Sequence, residues 1–521
     1  MVAQRPYWNP ELETLARAKI EALQWQRLQS QIRYAYANSS LHRRVWDEAG
    51  VSPDDVKTWD SFRKRVPFID KDTVRHELES TGDAYGGMCA AKSADLEVIA
   101  TSSGTTGLPT FLPLTKNDIA NCAEQFARLY WGMGLRPGHK FHIIIMGWHR
   151  CVVPIQVSSE RIGATRVRMD VYPLPPEITR NYLVAKHLRP DFVHFLTVPM
   201  IDGLEAEARK DGLSPREVFS CYKGAVLTGD VISPRLRARI DQGWGGRAYE
   251  VGGLGDLNFY CGECAERDGM HGVDDMFVFE IVDPQTKEVL PTGERGVLVI
   301  SALVDEALPA IRWWTEDVCY LDTTPCRCGR TSTRVHYLGR QQYGITVAGR
   351  LIFPSQLYAA VEAFDETSHA LFQIVKYAPE MSALRLRVGY LPQDADKLAD
   401  LGPRIAARVA GELGFTTEVE FVPTEQLLAL GPPHKIPRLL DLTKAKSRRN
   451  DLMEKTTLRA PNISCDHCVM AIQRAVGRLE GVASVEGDPA SKTVTVSYDP
   501  SRVNLPQIEQ TMATEGYPVA K

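Results

Sequence analysis

The chain has 521 residues, of which 44% are hydrophobic and 24% are charged, and its formal net charge is -4. This composition predicts a globular protein of several domains, and it excludes the strongly basic surface typical of proteins that bind nucleic acid or acidic membranes. Because no apolar run is long enough to span a bilayer and the N-terminus lacks a signal-peptide pattern, we expect a cytoplasmic protein with neither nucleic acid nor membrane as a partner.

In chain order, apolar periodicity first predicts helices over residues 11–48. From about residue 98 to residue 318, short apolar runs alternate with helical stretches, a pattern typical of α/β layers. The predicted strands cover residues 140–146, 192–198, 225–227, 277–282 and 296–301, and the predicted helices cover residues 117–131 and 234–241. A smaller α/β segment follows residue 340 and ends near Asp441, before a polar, basic run that indicates a linker.

The most informative segment is the run of residues 101–110, in which hydroxyl residues surround Gly104 and Gly107. Such a loop can turn several N–H groups and hydroxyls toward one anion, such as a triphosphate. It is not a P-loop, because no lysine follows the second glycine. The run resembles the phosphate-binding loop of adenylate-forming enzymes, the acyl-CoA synthetase superfamily, and in particular of the phenylacetate–CoA ligase family. The resemblance implies that ATP is bound by Ser102, Ser103, Gly104, Thr105, Thr106 and Gly107.

Two further segments resemble motifs of this superfamily in the same order. Residues 228–230 resemble the strand-end segment that packs against the adenine and the acyl group, which implies nucleotide contacts from Thr228, Gly229 and Asp230. Residues 252–256 resemble the Tyr-Gly-Leu-Ser-Glu motif, whose carboxylate binds Mg²⁺. The resemblance assigns nucleotide binding to Gly253 and magnesium binding to Asp256, which is shorter than the glutamate of the family.

Three more residues complete the resemblance. Asp317, in a segment similar to Ile-Arg-Tyr-Arg-Thr-Arg-Asp, would accept hydrogen bonds from the ribose hydroxyls. Arg340 would pair with phosphate. Lys435, in a segment similar to Gly-Lys-x-x-Arg-Val-x-Asp, would bridge the acyl carboxylate and the α-phosphate. The chain departs from the family at Gln342, which replaces a hinge aspartate, so adenylation is better supported than transfer to CoA.

Cysteine and histidine spacing predicts a zinc site. Residues 326–330 read Cys-Arg-Cys-Gly-Arg and resemble a metal knuckle, and three thiolates with one imidazole suit tetrahedral Zn²⁺. The ligand set carried over from the family is Cys264, His271, Cys326 and Cys328. An alternative set has Cys261 in place of His271. We expect a closed, structural site.

Residues 457–521 resemble heavy-metal-associated domains, the copper-chaperone fold, with a βαββαβ pattern. Cys465 and Cys468 stand at a helix start, where thiol pKa values are lowered. Two thiolates suit Cu(I) in two-coordinate geometry. Zinc binding and a redox dithiol are the alternatives.

These interpretations divide the chain into four parts: an adenylation domain at residues 1–340, a small mobile α+β domain at 341–443, a linker at 444–456, and a ferredoxin-like metal-binding domain at 457–521. The predicted fold class is α/β. The predicted enzyme uses ATP and Mg²⁺ to activate an aryl or arylacetic acid and transfers it to CoA. The alternatives are transfer to an amine or a carrier-protein thiol, and a metal-handling protein with a degenerate ligase domain. Further expected partners are a second copy of the chain and a protein that exchanges metal with it.

Overall fold

The computed structural model describes residues 5–101, 110–144, 149–169, 175–227, 232–255, 257–367, 371–430, 436–443, 454–498 and 502–520. Contacts group the chain into two compact units. The first comprises Met1–Gln373 with Ala383–Arg438, and the second comprises Ile374–Ser382 with Leu439–Lys521. This division does not coincide with the four predicted domain ranges, which stay predictions.

Helices open the first unit. They are α1 (Pro10–Glu13), α2 (Arg17–Asn38), α3 (Ser40–Glu48), α4 (Trp59–Arg65) and α5 (Lys71–Thr81). The helical prediction over residues 11–48 is confirmed, although as three helices. The chain breaks at Ser39, whose backbone is extended and whose side chain caps α3 by accepting a hydrogen bond from the N–H of His42. Leu28 of α2 and Trp46 of α3 then pack in one buried cluster.

Strands and helices alternate through the next part of the unit. The strands are β1 (Leu96–Thr101), β2 (Phe111–Thr115), β3 (Lys140–Ile144), β4 (Thr165–Met169), β5 (Phe192–Leu196), β6 (Gly224–Leu227) and β7 (Ala248–Leu254), and the helices are α6 (Lys116–Met133), α7 (Val152–Ile162), α8 (Pro175–Leu188), α9 (Val198–Lys210), α10 (Pro215–Phe219) and α11 (Pro234–Ala238). The helix predicted over residues 234–241 begins as α11 and continues as a π-helix over Arg239–Trp244. The other helix predicted here, over residues 117–131, is confirmed as α6.

Six further strands complete the main sheet. They are β8 (Asn258–Glu263), β9 (Met270–Gly272), β10 (Phe277–Val282), β11 (Gly296–Ala302), β12 (Trp313–Asp322) and β13 (Arg334–Arg340). The eleven-stranded sheet has the order β10-β11-β12-β13-β9-β8-β7-β6-β5-β3-β4. Strands β4, β3, β5, β6 and β7 run parallel, and each neighbouring pair from β7 to β10 is antiparallel. Ligands of such sheets bind beyond the carboxyl ends of the parallel strands, where β6 leads into residues 228–230 and β7 into residue 256.

The segment that follows residue 340 is also α/β. Its elements are β14 (Ile345–Val347), β15 (Arg350–Ile352), α12 (Tyr358–Val361), β16 (Phe372–Lys376), β17 (Leu384–Tyr390), α13 (Leu398–Leu413), β18 (Thr417–Pro423), α14 (Thr424–Leu428) and β19 (Leu439–Asp441). In the first unit, β17 pairs in parallel with β18, and α13 buries Leu401, Ile405 and Val409. In the second unit, residues 374–376 of β16 pair in parallel with β19.

The C-terminal part of the second unit contains β20 (Glu454–Arg459), α15 (Asp466–Val476), β21 (Val482–Asp488), β22 (Thr493–Tyr498) and α16 (Leu505–Thr514). Five of the six elements of the predicted βαββαβ pattern therefore form, with the sheet order β20-β22-β21. At the position of the sixth, the N–H of Ala520 donates to the carbonyl of Arg459 at 2.8 Å. Pro518 has no N–H to add to this pairing, which explains why the segment is not a full strand.

Candidate functional site

Several residues of the predicted nucleotide site lie outside the described part of the chain. They are Ser102, Ser103, Gly104, Thr105, Thr106, Gly107, Thr228, Gly229, Asp230, Asp256 and Lys435. Their described neighbours still fix where each segment starts. Thr101 ends β1, Leu227 ends β6, and Gly255 follows β7. Gly253 is exposed near the end of β7, opposite Phe259 of β8.

Asp317 and Arg340 lie opposite each other on the neighbouring strands β12 and β13. Arg340 Nε is 3.0 Å from Asp317 Oδ1, and Arg340 Nη1 donates to the main-chain oxygen of Thr315 at 3.0 Å. The N–H of Asp317 donates to Thr315 Oγ1 at 3.0 Å. Two residues predicted separately from the sequence are thus both held by Thr315, through its main-chain oxygen and its hydroxyl.

The environment of Asp317 is unusual for a carboxylate. Its side chain is 8% exposed, whereas that of Arg340 is 32% exposed. Burial raises the pKa of Asp317 to about 6, although the positive charges of Arg340 and Lys71 oppose the shift. A buried carboxyl beside a half-exposed guanidinium can accept hydrogen bonds from neutral hydroxyls while the guanidinium faces an anion.

The four predicted zinc ligands converge. The ligand atoms of Cys264, His271, Cys326 and Cys328 all lie within 4.8 Å of one another. Cys264 Sγ is 3.9 Å from Cys326 Sγ, and Cys328 Sγ is 3.4 Å from His271 Nε2. A hydrogen bond from Cys264 lowers the pKa of the Cys328 thiol. Three sulfurs and one imidazole nitrogen facing one point suit a tetrahedral ion.

The alternative ligand Cys261 lies elsewhere. Its thiol is buried against Met270 Sδ, at 3.8 Å, and against the carbonyl of Gly252, also at 3.8 Å. It is absent from the group of four converging ligand atoms. Among the described residues, the geometry therefore favours His271 over Cys261. None of the eleven cysteines, all of which lie within the described residues, forms a disulfide bond.

Outer contacts orient these four side chains. His271 Nδ1 is 3.0 Å from Ser332 Oγ, which leaves Nε2 to face the thiols. The N–H of Glu266 donates to Cys264 Sγ at 3.4 Å, and Arg330 Nη1 donates to Cys328 Sγ at 3.6 Å. These contacts hold both the imidazole and the sulfurs in place.

The N-terminal segment packs against residues 326–330, a contact that the sequence did not predict. The Tyr7 hydroxyl donates to the carbonyl of Cys328 at 3.0 Å, and Arg330 Nε lies 2.7 Å from Glu13 Oε2 in a buried ion pair. Gly329 has φ of 85°, and a Cβ there would stand 2.2 Å from the Tyr7 hydroxyl oxygen. The only signal in the sequence is the glycine after the Cys-x-Cys pair, because nothing local links residues more than three hundred positions apart.

Cys465 and Cys468 approach each other at the start of α15. Their sulfurs are 3.6 Å apart, and Ser464 Oγ is 3.6 Å from Cys468 Sγ. Hydrogen bonds from the backbone and side chain of Ser464, and from the Tyr517 hydroxyl, lower the pKa of Cys468 to about 6. The pair is open to solvent, since Cys465 is exposed.

Comparisons with known proteins agree with both parts of the chain. A phenylacetate-coenzyme A ligase of Thermus thermophilus is 32% identical over 460 residues, which are 84% of this chain and 100% of that protein. The sequence profile of the heavy-metal-associated domain matches residues 457–518. The copper chaperone CopZ of Bacillus subtilis is 39% identical over 69 residues, which are 13% of this chain and 100% of the chaperone.

Comparison with a solved structure shows that the similarity extends to the fold. The 2-hydroxyisobutyryl-CoA ligase in its postadenylation state, bound to an acyl-AMP, is 25% identical, with a TM-score of 0.74 over 86% of this chain and 95% of that chain. The same ligase in its thioesterification state, bound to 2-HIB-AMP and CoA, has a TM-score of 0.62 over the same shares and is 26% identical. The prediction of an α/β, AMP-forming acid–CoA ligase with a ferredoxin-like metal-binding domain is confirmed.

No described helix combines the length and the apolar character that crossing a membrane requires. The identity and coverage of the relatives identify the enzyme class. The chain therefore belongs to the phenylacetate–coenzyme A ligase family of AMP-forming acid–thiol ligases, and its C-terminal part is a heavy-metal-associated domain.

Proposed function

We propose that the protein activates an aryl or arylacetic acid with ATP and passes the acyl group to CoA. In the first step a carboxylate oxygen attacks the α-phosphorus, forming the acyl adenylate and releasing pyrophosphate. In the second step the CoA thiolate attacks the acyl carbon, forming the thioester and releasing AMP. The proposal rests on the Asp317–Arg340 pair between β12 and β13, in a chain that matches its ligase relative over that protein's full length.

The residues divide the work as follows. The loop of residues 102–107 would hold the triphosphate through N–H groups and hydroxyls, and Asp256 would bind Mg²⁺. Asp317 would accept hydrogen bonds from the ribose hydroxyls, and Arg340 would neutralise phosphate charge. Lys435 would bridge the two reacting anions. Catalysis then consists of positioning and electrostatic stabilisation, without a covalent enzyme intermediate.

Product analysis tests the proposal and separates it from the alternatives. The full chain is incubated with ATP, Mg²⁺, CoA and a panel of aryl, arylacetic and aliphatic acids, and acyl-CoA and AMP are quantified. We expect an aryl or arylacetic thioester formed in equal amount to AMP. Turnover that requires an amine or a carrier protein in place of CoA would support the alternative acceptors, and no turnover of any acid would support a degenerate ligase domain.

Asp317 should control how ATP affinity depends on pH. Burial raises the pKa of this carboxyl to about 6, so it is protonated as the pH falls through that value and becomes a weaker acceptor for the ribose hydroxyls. We expect ATP affinity, measured by calorimetry, to decline below about pH 6 in the unmodified protein. Asp317→Asn should bind ATP about tenfold more weakly, with no such decline, because two charge-assisted hydrogen bonds are lost.

Glu316→Gln is the matched control for this experiment, since Glu316 is exposed on the same strand. It should retain the affinity and a decline with falling pH, with the midpoint slightly lower, because the charge of Glu316 contributes to the raised pKa of Asp317. An Asp317→Asn variant with the ATP affinity and pH profile of the unmodified protein would reject the ribose role.

We also propose that Cys264, His271, Cys326 and Cys328 hold a structural zinc ion. The donor set fits, because thiolates and imidazole are the ligands that zinc prefers in closed sites. The contacts from Ser332, Glu266 and Arg330 supply the outer shell that such sites require. Bound zinc would cross-link β8, β9 and the loop before β13.

The C-terminal domain is proposed to bind one Cu(I) ion through Cys465 and Cys468. Two converging thiolates satisfy a soft monovalent ion, whereas zinc requires further ligands. A protein that exchanges copper with this domain, and a homodimer, stay predictions about partners.

Competition titration of the full chain with a Cu(I) chelator should therefore show one tight copper site. The Cys465→Ser/Cys468→Ser variant should lose it, and Cys221→Ser, which changes a half-buried thiol of the first unit, should keep it. Copper affinity that is unchanged in the double variant would contradict the assignment. Adenylation should persist in that variant, because each proposed catalytic residue precedes residue 444.

A further inference from the structure

We propose that Ser233, Arg235, Glu362 and Asp365 form a latch that keeps the enzyme in the conformation that makes the adenylate. This inference rests on the proposed function, because a latch matters only if the two half-reactions use different arrangements of the chain. These four residues form the Arg235 latch. All four belong to the first compact unit.

The geometry of the Arg235 latch joins two distant stretches of sequence. Arg235 Nη1 donates to the main-chain oxygen of Glu362 at 2.7 Å, and its Nη2 lies 2.9 Å from Asp365 Oδ1. The carboxyl of Glu362 is hydrogen-bonded to the side chain of Ser233. Ser233 also caps α11, because its Oγ accepts a hydrogen bond from the N–H of Leu236 at 3.0 Å.

The position of the latch connects it to the reaction. Helix α11 begins at Pro234, a few residues after the segment 228–230 that is proposed to contact the adenine and the acyl group. Helix α12, which precedes Glu362, lies in the segment beyond residue 340 that is predicted to move between half-reactions. The latch therefore fixes a predicted mobile segment to the edge of the proposed nucleotide site.

The solved relatives indicate which state the latch holds. This chain resembles the 2-hydroxyisobutyryl-CoA ligase more in its postadenylation state than in its thioesterification state. An open form of that ligase gives an intermediate TM-score of 0.67. In this chain Arg235 contacts both Glu362 and Asp365. These contacts therefore form in the arrangement that resembles the postadenylation state.

The energetics are those of a contact that can open. The Arg235–Asp365 ion pair is highly exposed, with 97% of the Asp365 side chain accessible, and such pairs contribute little. The hydrogen bond to the main-chain oxygen and the buried Glu362 carboxyl carry more of the interaction. Glu362 Oε2 has no hydrogen-bond partner among the described residues, and burial raises the pKa of this carboxyl to about 7. Opening of the latch would return Glu362 Oε2 to water. The hydration of that oxygen offsets part of the free energy that the closed contacts contribute.

The end of β13 is held by contacts of its own. Gly339, in β13, has φ of 149°, and a Cβ there would stand 3.2 Å from Phe353 Cβ, so the two segments approach closely. The Ser355 hydroxyl donates to the carbonyl of Leu338, next to this glycine. Arg235 instead holds the chain at residues 362 and 365, more than twenty residues beyond Gly339.

The test compares the two half-reactions in the full chain. Arg235→Ala removes the two arginine donors of the latch and leaves the Ser233–Glu362 hydrogen bond. The first readout is carboxylate-dependent ATP–pyrophosphate exchange, and the second is the CoA-dependent consumption of added acyl adenylate. A third readout, independent of activity, is hydrogen–deuterium exchange of residues 233–240 and 356–367.

We expect Arg235→Ala to lower the ratio of the first rate to the second by about five- to tenfold, the effect of losing one or two hydrogen bonds. Hydrogen exchange should rise in both segments together. Asp365→Asn should change the ratio by less than twofold, because it removes only the exposed partner. Arg216→Ala is the matched control, since Arg216 Nη1 also donates to a carbonyl, that of Gln242, at 2.8 Å, but away from the latch.

Equal loss of both rates, or an unchanged ratio with unchanged hydrogen exchange, would overturn the latch. If Arg235→Ala does not fold, Arg235→Lys replaces it, since lysine keeps the charge but cannot serve both acceptors as a planar fork does. If the unmodified protein catalyses no exchange with any acid, the proposed function fails. In that case hydrogen exchange decides only whether Arg235 joins the two segments, and unchanged protection of both would overturn that contact as well.

Discussion

Replacing Lys435 by alanine is expected to lower the rate of carboxylate-dependent ATP–pyrophosphate exchange by about 100-fold or more. The side chain is proposed to neutralise two anions as they approach, and no other residue of the proposed site has that role. The fold should be retained, because the described residues after Lys435 anchor the segment without it. Ile436 is buried, and the carbonyl of Pro437 accepts a hydrogen bond from Gln373 Nε2 at 2.8 Å.

Lys397→Ala is the matched control for this variant. Lys397, like Lys435, lies beyond residue 340 in the chain. It is half exposed, and its Nζ is 2.8 Å from Asp394 Oδ1. Its loss should leave exchange within about twofold of the unmodified rate. Exchange that survives unchanged in Lys435→Ala would remove Lys435 from the catalytic site.

Replacing Cys326 by serine is expected to abolish zinc binding by the ligase part and to destabilise it by about 4 kcal/mol, because loss of a structural metal belongs to the largest single-residue effects. The melting temperature should fall by roughly 5 °C or more. The experiment uses the full chain with Cys465→Ser/Cys468→Ser, so that the C-terminal thiols contribute no metal. Zinc per chain is measured by elemental analysis, and stability by calorimetry.

Cys221→Ser in the same background provides the control. Cys221 is a half-buried thiol whose Sγ lies 3.6 Å from the carbonyl of Val218, and serine can keep that contact. It should retain one zinc ion per chain. A protein that holds no zinc before mutation, and whose stability does not depend on Cys326, would contradict the site.

The elements that could be predicted from the sequence are those with a clear apolar period or a short apolar run. Helix α6, predicted over residues 117–131, forms over Lys116–Met133, and the strand predicted over residues 277–282 forms as Phe277–Val282. What periodicity could not locate is a break set by a cap. Ser39 follows the end of α2 and caps α3. The break between the two helices is therefore set by the Ser39 hydroxyl and not by the apolar pattern.

The site was predictable where a motif carries the chemistry and unpredictable where distant residues complete it. The four converging metal ligands follow from the Cys-x-Cys pair and the family resemblance. The clamp by Tyr7 and Glu13 on Cys328 and Arg330 does not, because hydrogen bonds between the two ends of a domain leave no local pattern. Arg235 is similar, since nothing in the sequence indicates that this half-buried arginine donates to the main-chain oxygen of Glu362.

ATP–pyrophosphate exchange by the full chain with a library of carboxylic acids decides whether the protein is an acid-activating enzyme. We expect exchange that depends on Mg²⁺ and on an aryl or arylacetic acid, and that persists in the Cys465→Ser/Cys468→Ser variant. The absence of exchange with every acid, in a folded protein that binds copper, would contradict it and would favour a metal-handling protein built on a degenerate ligase domain.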